Sequence, residues 1–353
     1  MSVIPYARQS ISSYDIREVA MALKSDWLTQ GPRVKKFEED LCGYTGSRYA
    51  VAVSSGTAAL HLSMLAVGMG KGDISVTTPI TFSASANCAI YVGSTPEFID
   101  IDDRTCHLDI EKLECFLRVP SQRKKVKVVV PVHFMGTVFD IAGLKKVCDR
   151  YGIKIVEDAA HALGAKYKYG GWWMPVGSCG HSDAAIFSFH PIKHITTGEG
   201  GAIVTNDRRI YERALKLRHH GIMCDKAKAA WYYDIPEIGF NYRITDFQCA
   251  LGSSQLKRLD AMVRVRRKLV ANYNIGLSSV DNIRLPYERP GTYASYHLYV
   301  IRVANDKRNK LYDFLRKNGI YAQVNYIPVH LLAFYRKKFG YKAGDFPVSE
   351  KYF

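Results

Sequence analysis

Lys193 is the residue whose setting most suggests reactivity. It lies in FSFHPIKHITTGEGGAIVTND (187–207), after Pro191 and Ile192, between His190 and His194, and ahead of Gly198, Gly200 and Gly201. Glycines so placed let backbone approach another group closely. A lysine is ordinarily a solvated surface charge. Desolvated in a confined loop, its amine loses preference for the charged form and can attack a carbonyl carbon. Upstream, KIVEDAAHALGA (154–165) puts Asp158 at the carboxyl end of an apolar run, 153–157. Open α/β sheets bind ligands at that end of their strands. A carboxylate there can pair with a protonated ring nitrogen, whereas helix N-capping is its plain structural role. His161, three positions on and one helical turn along, could lean over such a ring, or be a core or surface histidine.

An anion site comes next. AVSSGTAALHL (52–62) reads as strand, Ser-Ser-Gly-Thr turn and helix, and a helix start offers free backbone N–H groups to a phosphate. Gly56 permits close approach and Thr57 adds a hydroxyl, with an ordinary N-cap as its alternative role. In TTPITFSASANCAI (77–90), Phe82 offers a flat face, although an isolated phenylalanine is more often core. Amine, acid, phosphate cradle and stacking face together are the parts that hold pyridoxal 5'-phosphate (PLP), whose protonated ring withdraws electrons from a substrate carbon.

These parts need a scaffold. Residues 48–206 alternate β-branched runs with helical stretches, the pattern of a mostly parallel α/β sheet covered by helices. Strands are expected at 49–53, 74–77, 96–99, 126–132, 153–157, 184–188 and 201–205, most of them continuous apolar runs suited to burial on both faces. Helices are expected at 14–25, 34–45, 57–67, 110–117, 141–151 and 208–217. Beyond 245 the texture changes to one long helix, 246–278, then a strand at 296–303 and a helix at 308–317. This predicts a large cofactor-binding domain with an N-terminal arm (1–245) and a smaller C-terminal α+β domain (246–353), bridged by a continuous helix.

Composition narrows the classes. The chain has 353 residues, 47% hydrophobic, enough for one large core and a smaller one. It has no apolar run of spanning length and MSVIPYARQS is not a secretory signal, so a cytoplasmic protein without membrane partners is expected. Its eight cysteines show no metal-ligand or disulfide spacing, which predicts reduced thiols and no metal site. Net charge is +16, and the basic clusters at 123–127, 264–268, 307–310 and 336–338 follow no nucleic-acid-binding pattern. The charge then reads as a basic surface that attracts anionic cofactor and substrate, with no nucleic-acid partner.

At this point the residues resemble the DegT/DnrJ/EryC1/StrS sugar aminotransferases over essentially the whole chain. The specific pieces are SDWLTQGPRVKKFEE (25–39), SSGTAALH (54–61), TPITFSASANC (78–88), VEDAAHALGA (156–165), FSFHPIKHITTGEGG (187–201) and GFNYRITDFQCALG (239–252). The resemblance implies a fold type I PLP-dependent aminotransferase. Lys193 would hold the cofactor, Asp158 would pair with its ring nitrogen and His161 would lie beside the ring. Gly56, Thr57 and Ser188 match phosphate-binding positions and Phe82 the stacking position. It further implies a homodimer with shared sites, in which Asn241 reaches the neighbouring subunit's phosphate.

The opening IPYARQSIS (4–12) with SDWLTQGP resembles the pseudaminic-acid branch of the family, which aminates C4 of a UDP-linked 4-keto-6-deoxy-N-acetylhexose from glutamate. Tyr6 and Thr29 would face that substrate. A different nucleotide keto-sugar is the alternative, as is a non-catalytic PLP-binding regulator. The related sugar 3-dehydratases carry histidine where this chain has Lys193. Relatives usually continue past the equivalent of Glu350-Lys351-Tyr352-Phe353 with a segment that completes the small domain, so a truncated small domain is also expected.

Overall fold

The computed structural model describes residues 3–225 and 227–353. Helix α1 (Ser13–Leu23) starts with a capping box in which Ser12 and Asp15 satisfy each other's backbone N–H groups. Helix α2 (Pro32–Thr45) has proline in its first turn, where a missing N–H costs nothing. Then follow β1 (Tyr49–Val53), α3 (Gly56–Ala66), β2 (Ile74–Thr77), α4 (Ala84–Tyr91), β3 (Thr95–Phe98), α5 (Ile110–Arg118), α6 (Pro120–Arg123), β4 (Val126–Val129), α7 (Ile141–Tyr151) and β5 (Lys154–Asp158). The chain continues through β6 (Lys166–Tyr169), β7 (Trp172–Pro175), β8 (Ala184–Ser188), β9 (Gly201–Thr205) and α8 (Arg208–Arg218). Helices α9 (Asp246–Leu256), α10 (Leu259–Leu277) and α11 (Asn305–Lys317) come after them.

Seven strands form the central sheet in the order β1, β9, β8, β5, β4, β2, β3. Only β9 runs against the rest, pairing antiparallel with both β1 and β8. Apolar side chains of both faces are buried: Ala52 and Phe187 lie in one cluster, Val53 and Ile186 in the other. The sheet is therefore covered on both sides, which explains its uninterrupted apolar strands. Helix α3 is buried from Ala58 through Met64 because it is wedged between the sheet and helices α4 and α8.

Sheet register brings the chemistry together. Asp158, last in β5, lies opposite Ile186 of the parallel β8, so Ser188 projects from the same edge. Ser188 pairs with Gly201, and Gly201 pairs with Val53, immediately before the Ser-Ser-Gly-Thr turn. Three distant stretches of sequence thus end side by side at one rim.

The structure departs from expectation in several places. Between β5 and β8, where no element was expected, the chain forms an antiparallel hairpin, β6–β7; Gly170 and Gly171, both at positive φ, make its turn. Residues 159–164 form turns, so His161 is placed by a turn and not by a helix. The long helix expected over 246–278 is two, broken at Lys257 and Arg258. Helix α9 packs against α1 and α2. Of the strand expected at 296–303, only Arg302–Val303 is paired, with Ile283–Arg284. Residues before it are held through turns against 134–136, which the apolar pattern alone could not disclose. No helix among the described residues is long and apolar enough to cross a membrane.

Candidate active site

The rim opens into a cavity of about 490 Å3, walled by the start of α3, Phe82, Asp158, His161, Ser188 and Lys193. Tyr6 and residues 323–326 close its other side. The N-terminal arm is held there by backbone bonds, from the Ile4 N–H to the Gly319 carbonyl (2.8 Å) and from the Tyr321 N–H to the Ile4 carbonyl (2.9 Å). Tyr6 then donates from its hydroxyl to Asn325 Oδ1 at 3.4 Å, and burial pushes its pKa up.

Ser55, not Thr57, is the N-cap of α3: its hydroxyl accepts from the Ala58 N–H at 3.0 Å. Gly56 and Thr57 thereby become the first two helical residues, with N–H groups that have no carbonyl partner within the helix. A Cβ on Gly56 would lie 2.9 Å from Ser188 Cβ, and one on Gly201 would lie 2.4 Å from the Ser55 carbonyl oxygen. Both glycines are required because β8, β9 and the α3 turn pack without room for a side chain. The result is a helix start beside the Ser188 hydroxyl, a site suited to phosphate.

Asp158 is buried, and its carboxylate accepts from Ser85 Oγ (2.5 Å) and from the Ala160 N–H (3.1 Å). No helix follows it, so turn bonding replaces the N-cap role. Since Ser85 gives its proton to Asp158, it accepts from the Thr81 hydroxyl 2.7 Å away. Next to Asp158, Glu157 points to the opposite face of β5, where His133 Nε2 donates to it at 2.7 Å. His133 Nδ1 accepts from the Phe139 N–H, which fixes the tautomer. Both neighbours of the strand end are thereby anchored.

Burial pulls the Lys193 amine down from its usual 10.5 to about 8, with nearby Asp158 opposing the change. Its Nζ lies 3.5 Å from His297 Nε2. Burial drives His161 well below its ordinary range, assisted by the charge of Lys193 and by His194. The same cause, with Arg266, holds His194 at about 3. Neutral imidazoles therefore surround an amine that titrates near physiological pH.

Among the expected residues, Tyr6, Gly56, Thr57, Phe82, Asp158, His161, Ser188 and Lys193 all line the one cavity. Phe82 is 59% exposed, its ring 6.2 Å from that of Tyr326 and its face available for stacking. Asn241 and Thr29 do not line it. Asn241 is exposed and bridges to His219, and Thr29 is exposed and bridges to Thr245. Sequence reasoning missed Ser85, Asn325, Tyr326 and His297. Ser85 was open to detection, being one helical turn from Thr81 in a segment already singled out; the other three reach the site from far along the chain.

A two-sided α/β sheet carrying a low-pKa lysine, a buried acid and a helix start at one rim is an arrangement suited to amine chemistry. The chain belongs to the DegT/DnrJ/EryC1/StrS aminotransferase family, whose model matches residues 9–353. It is 37% identical over 360 residues to the spore coat polysaccharide biosynthesis protein SpsC of Bacillus subtilis, covering 99% of this chain and 90% of that one. It is also 37% identical over 341 residues to the UDP-4-amino-4,6-dideoxy-N-acetyl-beta-L-altrosamine transaminase of a Campylobacter jejuni strain, covering 96% and 87%. The PLP form of Spr1654 from Streptococcus pneumoniae superimposes with a TM-score of 0.90 at 31% identity, covering 99% of this chain and 91% of that one. The architecture is that of a fold type I aminotransferase.

Proposed function

We propose that this aminotransferase uses PLP to move the amino group of glutamate to C4 of a UDP-linked 4-keto-6-deoxy-N-acetylhexose in the cytoplasm. The carrying observation is the convergence of Lys193, Asp158 and the α3 start on one cavity of about 490 Å3, within the usual range of small-molecule sites. The residues present fit the cofactor: Gly56 leaves backbone N–H groups bare beside Ser188, and His161 Nδ1 is buried without a partner among the described residues. Gly56, Thr57 and Ser188 would hold the phosphate, Phe82 and His161 the ring, Asp158 its nitrogen and Lys193 its aldehyde. When bound, PLP supplies a reversible link to amines and a ring that draws electrons from the reacting carbon.

Within this site Lys193 does two jobs. As a neutral amine it would hold the cofactor's aldehyde. Released, it takes the proton from the donor's α-carbon and later delivers one to C4 of the sugar, work suited to a group titrating near 8. Asp158, pinned by Ser85 and the Ala160 N–H, holds its carboxyl group at the cavity wall. Tyr6, which lines the cavity, faces the sugar nucleotide; Thr29, outside it, is not part of this reading. In a homodimer, Asn241 of each copy serves the other's phosphate. The exposure of Asn241 and of Trp231, Tyr233 and Ile238 on the same stretch supports that arrangement.

The C4 reading leans on the N-terminal arm and the Campylobacter relative. Equal identity to SpsC favours, as a second reading, a different nucleotide keto-sugar as acceptor. Purified protein with PLP and glutamate is to be tested against a panel of UDP-4-keto sugars, following 2-oxoglutarate release and the aminated product. The proposal expects release with the N-acetylated 6-deoxy sugar and none from Lys193→Ala. Absence of 2-oxoglutarate with every acceptor, or turnover by Lys193→Ala, sinks it.

A further inference from the structure

We infer that His297 is the positioning residue for Lys193, docking the lysine amine whenever that amine is free of cofactor. The inference rests on Lys193 as the reacting amine. A lysine that must leave a reactive centre and return has a flexible four-carbon stem with much rotational freedom. Something must hold the amine close to the reacting carbon between steps. Nζ of Lys193 lies 3.5 Å from His297 Nε2.

The backbone around His297 is built to place that ring. Gly136, at φ +88, lets the segment of residues 295–298 pass so closely that a Cβ there would lie 2.5 Å from the His161 carbonyl oxygen and 2.8 Å from the His297 nitrogen. Backbone bonds from the Ser295 N–H to the Gly136 carbonyl (3.0 Å) and from the Leu298 N–H to the Met135 carbonyl (3.1 Å) fasten both ends of the segment. From α10, Arg266 reaches the His297 carbonyl at 3.3 Å. The imidazole packs on His161, ring centres 4.5 Å apart, and nears His194 at 5.8 Å.

The charges facing His297 keep it neutral. Burial is the main cause, and His161, Lys193, His194 and Arg266 each push in the same direction; among the groups around Lys193, Asp158 alone opposes, by favouring the charged amine. A neutral imidazole favours the charged lysine: its Nε2 accepts from the ammonium in a charge-assisted bond stronger than any it makes with the neutral amine. His297 Nδ1 is buried with no partner among the described residues, so no other contact fixes the tautomer.

The test uses the full-length protein loaded with pyridoxamine phosphate, which leaves Lys193 free. Trace acetic anhydride labels amines in proportion to their neutral fraction, and peptide mass spectrometry reads Lys193 across pH. His297→Phe keeps the ring volume and removes the acceptor, so the labelling midpoint should fall by about one pH unit, whereas His297→Gln should restore it. If the phenylalanine variant does not fold, His297→Asn, whose amide is too short to reach Nζ, should show the same fall. An unchanged midpoint in the folded phenylalanine or asparagine variant, or equal shifts with and without an acceptor, overturns the inference. Retention of the covalent cofactor link in Lys193→Ala would instead refute the assignment of Lys193.

Discussion

Replacing Lys193 with methionine should stabilise the cofactor-free protein at neutral pH while ending its chemistry. Burial lowers the lysine from 10.5 to about 8 in the fold, so the unfolded chain binds that proton more tightly than the native one. Stability linked to this group is therefore fully present only above the unfolded value. It declines as pH falls from 10.5 to 8, and below 8 the whole cost is in force. At 1.36 kcal/mol per tenfold difference in proton affinity, that cost is about 3 kcal/mol at pH 7 and about 1 kcal/mol at pH 10. Methionine has a similar unbranched stem and no charge to desolvate. The measurement is the difference in urea-unfolding free energy between variant and wild type at the two pH values, compared only where the denaturant slopes agree. A gain of about 3 kcal/mol at pH 7 that shrinks by roughly two thirds at pH 10 is expected. A gain equal at both pH values would mean packing alone is responsible. A loss at pH 7 would mean that Asp158 already compensates the buried ammonium, and the reasoning fails.

Two further outcomes follow from the geometry. Asp158→Asn keeps the size and can still accept from Ser85, but it carries no charge to oppose a protonated ring nitrogen; kcat should fall roughly tenfold to a hundredfold with little change in KM for glutamate, and steady-state kinetics showing an unaltered kcat would contradict the assignment. Gly201→Ala puts a methyl 2.4 Å from the Ser55 carbonyl oxygen and 2.6 Å from the Gly56 nitrogen, so the phosphate cradle must shift. PLP affinity measured by titration should weaken at least about tenfold, while Gly276→Ala, with nothing within 4 Å of its new methyl, should bind normally; equal affinities would remove the cradle from the site.

The strands were legible because burial on both faces imposes continuous apolar runs, as in Tyr49–Val53 and Ala184–Ser188. The Ser-Ser-Gly-Thr turn was legible because a helix start needs a particular local chemistry, although the cap proved to be Ser55. The hairpin of β6 and β7 was within reach, since Gly170-Gly171 between aromatic runs is a hairpin signal, yet no element was expected between the strands at 153–157 and 184–188. The break between α9 and α10 was not visible, because the apolar period runs on through Lys257 and Arg258 while α9 turns to pack on α1 and α2.

By itself the sequence determined the parts: a lysine among glycines, an acid at a strand end, a helix start after Ser-Ser-Gly-Thr, and the family those motifs match. Such features are local, set by which residues tolerate a turn, a cap or a buried strand. Tertiary structure alone decided that Ser188, Gly201 and Ser55 stand side by side, that Ser85 gives its proton to Asp158, and that His297 meets Lys193. Those contacts join residues up to 146 positions apart in the chain, as in the Ser55–Gly201 approach, and over a hundred for Lys193 and His297. No periodicity carries such pairings; sheet register and the course of residues 295–298 past Gly136 create them, and through them the buried setting of the Lys193 amine.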